Sequence, residues 1–205
     1  MSGFKDHFSG HAASYARYRP YYPAELYQFF ADIAPAKDLA WDCATGNGQA
    51  ARGLAVYFNK VVATDASVEQ IAQAAPGPGI EFRVARAEDC GLGDASVDLI
   101  TVAQAIHWFD HEAFFREAER VIRPGGVLAF WTYRLAEIDP AVDTLILHLY
   151  RDIVHAHWPS ERLMVEEGYR NIQTPFRERT PPQFEMCARC SVRTSLQPQS
   201  ELLAR

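Results

Sequence analysis

Apolar positions along the chain change period repeatedly. Behind Pro23, which suits a first helical turn, Leu26, Phe29, Phe30 and Ile33 recur at helical spacing, and Pro35 ends the run. Leu39 to Cys43 is apolar and short enough for a strand, and Gly48 to Phe58 is compatible with a helix. Lys60 to Thr64 predicts a second strand, Ser67 to Ala74 a helix capped by Ser67, and Ile80 to Ala85 a third strand beyond the turn Pro76-Gly77-Pro78-Gly79. Val97 to Val102 is apolar enough for a strand buried on both faces. Asp110 is placed to cap a helix carrying Phe114, Phe115, Ala118, Val121 and Ile122; Pro124-Gly125-Gly126 stops it, and Val127 to Thr132 predicts a fifth strand. Asp139 or Pro140 opens a long helix with Val142, Leu145, Ile146, Leu149 and Ile153 on one stripe. Strands alternating with helices predict an α/β fold, a doubly wound, Rossmann-like and mostly parallel sheet with helices on both faces. Beyond Trp158 neither period persists, and residues 191–205 read as a disordered tail.

Composition narrows the function without naming it. A length of 205 residues suits one domain with a real core. The formal charge of −6 argues against a nucleic-acid partner, since phosphate-backbone binding rests on clustered Lys and Arg. No apolar run is long enough to span a bilayer, and the first ten residues lack the apolar centre of a signal peptide, so a cytoplasmic protein is expected. Cys187 and Cys190 have the spacing of a redox or zinc pair, but no second pair completes a site, and no metal is expected.

The candidate chemistry lies between the first two strands. Asp42-Cys43-Ala44-Thr45-Gly46-Asn47-Gly48-Gln49 follows strand one, a helix follows it, and strand two ends on Asp65. Strand, glycine turn, helix, strand, acid is the grammar of a nucleotide-binding half, with the acid placed to accept both hydroxyls of a ribose. A third close glycine is missing, which disfavours a nicotinamide-dependent oxidoreductase, and a carboxylate at Asp42 would repel a phosphate. S-adenosylmethionine (SAM) carries no phosphate, and its cationic end suits Asp42. Glu88, after strand three, is placed to edge an adenine, although such an acid is more often merely exposed. Residues after strand four lie at the ligand mouth of an open sheet. There His107 is a candidate base, although a packed or hydrogen-bonded histidine is the stronger reading, and Trp108 and Phe109 read equally as core. Near the N-terminus, tyrosines interleave with Arg17 and Arg19, which predicts a lid in which Arg19 meets a ligand carboxylate.

These segments together resemble the class I SAM-dependent methyltransferases, in the methyltransferase type 11 branch that includes trans-aconitate methyltransferase-like proteins. The resemblance rests on Tyr15 to Pro23, Trp41 to Ala51, Val62 to Asp65, Ala87-Glu88, Gln104 to Asp110 and Glu117 to Trp131. It implies that Asp42, Ala44, Gly46 and Gly48 line the methionine part of SAM, that Asp65 takes the ribose hydroxyls, and that Ala87 and Glu88 edge the adenine. It places Gln104 near the sulfonium, with Tyr15 and Arg19 closing the site, and brings a small-molecule methyl acceptor in over His107, Trp108, Trp131 and Tyr133. A carboxylate is the candidate acceptor and would need no base. The implied organisation is one domain over residues 1–190, with a lid at 1–35, a SAM-binding core at 36–135 and a substrate-side segment at 136–190. Two departures stand out. Ala44 occupies a common glycine position, and Phe184-Glu185-Met186 leads to Cys190-Ser191 where the branch carries Trp-Ser. The second departure predicts a truncated or altered C-terminus that lacks the closing antiparallel strand. It also raises a competing expectation, a non-catalytic methyltransferase-like protein that binds SAM or serves in a complex.

Overall fold

Four of the five positions of β1 (Leu39–Cys43) are buried, and so are the first six of β4 (Val97–Ala103). That is the pattern of strands covered on both faces, and these two lie in the middle of the sheet. The computed structural model describes residues 21–133 and 135–186. Its five strands are parallel and run in the order β3-β2-β1-β4-β5, with β2 at Lys60–Asp65, β3 at Ile80–Val84 and β5 at Ile122–Trp131. The order reverses between β1 and β4, the place where open α/β sheets form a crevice beyond the strands' carboxyl ends.

Two apolar layers sandwich the sheet. On one face Trp41, Cys43, Val62, Ile100 and Val102 meet Phe114, Phe115, Ala118 and Val121 of α4 (His111–Val121). On the other, Ala40, Val61, Ala63 and Leu99 meet α1 (Ala24–Ile33) and α2 (Gln49–Leu54). The helices α1 and α2 approach closely because Gly53 has no side chain: a Cβ there would fall inside the ring of Tyr27. The fully buried Trp41 indole donates to Thr64 Oγ1 at 2.8 Å, tying β1 to β2 through the core.

Caps follow the sequence reading. Ser67 accepts from the Gln70 amide at the start of α3 (Val68–Gln73), and Asp110 accepts from Ala113. Three boundaries differ. Helix α2 stops at Leu54 because the chain then turns back, and the amides of Asn59 and Lys60 bond the carbonyls of Lys37 and Asp38 beside β1. Strand β5 begins at Ile122, not Val127: Ile122 pairs with Val97, and Pro124-Gly125-Gly126 forms an irregularity inside the strand instead of a break before it. The long helix is α5 (Pro140–His148), continued by a π-turn at Leu149–Ile153. Its stripe has the expected period, yet Leu145, Leu149 and Ile153 are all more than half exposed. A short α6 (Arg162–Glu166) sends Val165 and the nearby Tyr169 back to the core.

No antiparallel closing strand occurs among the described residues. The predicted tail at 191–205, the Cys187–Cys190 pair, and Tyr15 and Arg19 of the predicted lid lie outside them. No described helix is long and apolar enough to cross a membrane.

Candidate functional site

The parallel register decides which side chains share the crevice. Asp42 pairs with Ala63 on β2 and with Thr101 on β4; Thr101 pairs with Ala129, and Ala103 with Trp131 on β5. Alternation then puts Asp42, Asp65, Thr101, Ala103 and Trp131 on one face near the carboxyl ends. At the usual strand spacing of about 4.8 Å, the row from β2 to β5 spans ~14 Å.

Asp42 is the most perturbed group in this row. It is 1 % exposed and accepts from Thr45 Oγ1 at 2.5 Å and Thr101 Oγ1 at 2.8 Å. Burial pushes its carboxyl up to about 6; the two threonine hydroxyls oppose that rise, and the charge of Asp65 adds to it. A buried acid in this condition favours a nearby positive charge.

The turn is built around Asp65. Its Oδ2 accepts from the Gly46 amide and its Oδ1 from the Ser67 amide, each at 2.9 Å, so β2 clamps the loop that follows β1. The Thr45 amide bonds the Thr64 carbonyl at 2.9 Å. Ala44, Gly46 and Gly48 all take left-handed backbone, with φ of 54°, 57° and 83°. Glycine is the residue this conformation prefers, so Ala44 holds a strained position. At Gly48 a Cβ would also come within 2.6 Å of the Phe82 ring.

Ala87 and Glu88 lie in the turn after β3, where Glu88 pairs with Arg86 at 3.2 Å. Gln104 follows β4 with φ 58°; its amide bonds the Trp131 carbonyl, and its Oε1 accepts from Thr132 Oγ1, both at 3.0 Å. Trp131 is packed by Tyr22 (ring centroids 5.3 Å apart) and Phe30 (5.4 Å), and Tyr133 lies 6.4 Å from Tyr22.

His107 and Trp108 occupy a short 3₁₀ turn (Ile106–Trp108). His107 is buried, and its Nδ1 lies 2.7 Å from the Tyr169 hydroxyl. Burial, with the charge of Arg162, lowers its pKa to about 4, so the ring is neutral at neutral pH. Tyr169 in turn contacts Phe130, whereas Trp131 packs with Tyr22 and with Phe30 of α1 on the opposite face. The structure thus gathers Asp42, Asp65, the glycine turn, Gln104 and Trp131, and turns His107 toward the other layer.

Three anchors escape sequence reasoning. Asp98, fully buried, accepts from the amides of Asp38 and Leu39 and meets Arg123 at 2.9 Å, fixing where β1 starts. Glu117 accepts from the Cys90 amide and thiol. Tyr169 holds His107. Among the described residues, no group of three or more His, Cys, Asp or Glu is placed to hold a metal ion.

Comparison with known proteins agrees with this architecture. A family model described as a methyltransferase domain matches residues 41–130. A Dictyostelium discoideum protein described as a methyltransferase is 38% identical over 181 residues, covering 86% of this chain and 69% of its own. A Mycobacterium bovis protein described as an uncharacterized methyltransferase is 33% identical over 156 residues, 68% of this chain and 63% of its own. Among solved structures, a protein from Anaeromyxobacter dehalogenans described as a type II methyltransferase superposes with a TM-score of 0.77 at 46% identity, covering 82% of this chain and 72% of that one.

Proposed function

This chain belongs to the SAM-dependent methyltransferase family, and on that premise we propose that its crevice methylates a small-molecule acceptor, a carboxylate, as in the trans-aconitate-like branch. The observation that carries the reading is the pair Asp42 and Asp65, on adjacent strand ends and joined through a left-handed glycine turn.

The residues fit the methyl donor. A carboxylate only accepts, which matches Asp65 in kind to the two hydroxyls of a ribose diol. Asp42 supplies negative charge under the donor's cationic amino-acid end. Gly46, Gly48 and Ala44 let the backbone approach the methionine part, and Ala87 and Glu88 border the adenine. Gln104 lies at the sulfonium side, and Tyr15 and Arg19 are assigned to cover the site. When bound, SAM supplies an electrophilic methyl group whose leaving group is a neutral thioether.

The remaining work is alignment and exclusion of water. A carboxylate acceptor arrives already ionised and needs no proton removed. His107, neutral and hydrogen-bonded to Tyr169 in the other layer, is not called on as a base; Trp131 and Tyr133 are assigned to the acceptor side, with Trp108 at the mouth.

The test is calorimetric titration of SAM into the wild type and Asp65→Ala, followed by labelled-methyl transfer to carboxylate, hydroxyl and amine metabolites. Losing two hydrogen bonds to a charged acceptor, each worth about 1.5–3 kcal/mol, lowers SAM affinity by roughly 100-fold or more. Unchanged affinity in Asp65→Ala, or a response to NAD in place of SAM, overturns the reading.

A further inference from the structure

Two hydrogen-bond donors at the carboxyl ends of β4 and β5 have no acceptor among the described residues. The indole Nε1 of Trp131 and the amide Nε2 of Gln104 are both buried and unpaired. Native proteins seldom leave such groups without a purpose. The two residues are structurally joined, since the Gln104 amide bonds the Trp131 carbonyl at 3.0 Å. Trp131 also shares the sheet face of Asp42 and Thr101 and lies one strand pair beyond them toward β5.

The chemistry of the two atoms is one-sided. An indole nitrogen only donates. The Gln104 amide oxygen is already taken by the Thr132 hydroxyl, which leaves its N–H₂ end as the available group. The aromatic rings of Tyr22 and Phe30 pack the Trp131 ring and hold it in place. An ammonium group offered to these donors would meet donor against donor. A carboxylate or carbonyl oxygen would be matched.

We propose that Trp131 Nε1 and Gln104 Nε2 read the acceptor by gripping one of its oxygens, and so select oxyanions over amines. This rests on the methyltransferase site described above and adds the feature that discriminates among its acceptors. With one carboxylate oxygen held, the other forms the new O–CH₃ bond as the C–S bond breaks. The electron pair stays on sulfur, and no proton moves.

The experiment uses the full chain, labelled with ¹⁵N and saturated with S-adenosylhomocysteine. The Trp131 indole resonance is identified by its loss in Trp131→Phe, which keeps an aromatic ring but removes the donor. Succinate, tricarballylate and phenylacetate are titrated against 1,4-diaminobutane and phenethylamine. The expected result is a downfield shift of that indole resonance with at least one acid and with neither amine. Methyl transfer to the same acid falls about tenfold in kcat/KM in Trp131→Phe, and at least as far in Gln104→Glu, which sets a negative charge against the oxyanion. S-adenosylhomocysteine affinity stays within about threefold in Trp131→Phe. No shift with any acid, or an equal shift with the amines, overturns the proposal while leaving the cofactor site intact. Failure of the wild type to bind S-adenosylhomocysteine removes the reading beneath it, and the two failures are told apart by that first titration.

Discussion

Asp42→Asn tests whether the floor of the crevice is held at an energetic cost. The carboxyl stands at about 6 in the folded protein against 3.8 in the unfolded chain, chiefly because it is buried. Between those values the native state holds a proton that the unfolded state has released, so stability falls as pH rises through the window. The favourable contribution is fully present below 3.8 and lost above about 6, where ionised Asp42 costs about 3 kcal/mol. Asparagine keeps the shape and removes the charge but gives one threonine hydroxyl a poorer acceptor, a loss of about 1 kcal/mol. The variant is therefore about 2 kcal/mol more stable than wild type at pH 8, and about 1 kcal/mol less stable at pH 3.5. Urea denaturation of both proteins across that range checks this, because other titrating groups cancel in the difference. SAM should bind the wild type more tightly as pH rises through about 6, and Asp42→Asn should lack that dependence. A stability difference flat with pH refutes the reasoning.

Two further predictions concern the backbone. Ala44→Gly relieves a left-handed conformation worth about 1–2 kcal/mol, offset by about 0.4–1 kcal/mol of added freedom in the unfolded chain. A net gain of about 0.5–1 kcal/mol in chemical denaturation is expected. Gly53→Ala forces a methyl into the Tyr27 ring and costs about 3 kcal/mol. Placed in a Tyr27→Leu background, the same change should cost less than about 1 kcal/mol in a double-mutant cycle.

What was legible in the sequence follows the range of each interaction. Strand β1, its turn, the cap at Ser67 and the acid at Asp65 are local patterns, and each sits where the periodicity and turn chemistry put it. The buried acid Asp98 was not legible, because its amide partners at Asp38 and Leu39 lie 60 and 59 positions away. Tyr169 is 62 positions from His107, so nothing near His107 foretold that its ring would be taken up. Nothing beside Gly53 in the chain marks it as special, because its reason for being glycine, the Tyr27 ring, stands on another helix. The stripe on α5 shows the opposite failure: period alone does not say what, if anything, covers an apolar face.

The Gly53–Tyr27 contact also bears on how this family can diverge. The bulky ring and the bare backbone position are two halves of one fit, so neither can drift alone. A lineage that enlarges residue 53 must first accept a smaller residue 27, and an intermediate with both large would be purged. Across homologues the two sites should change together, with volume traded from one helix to the other.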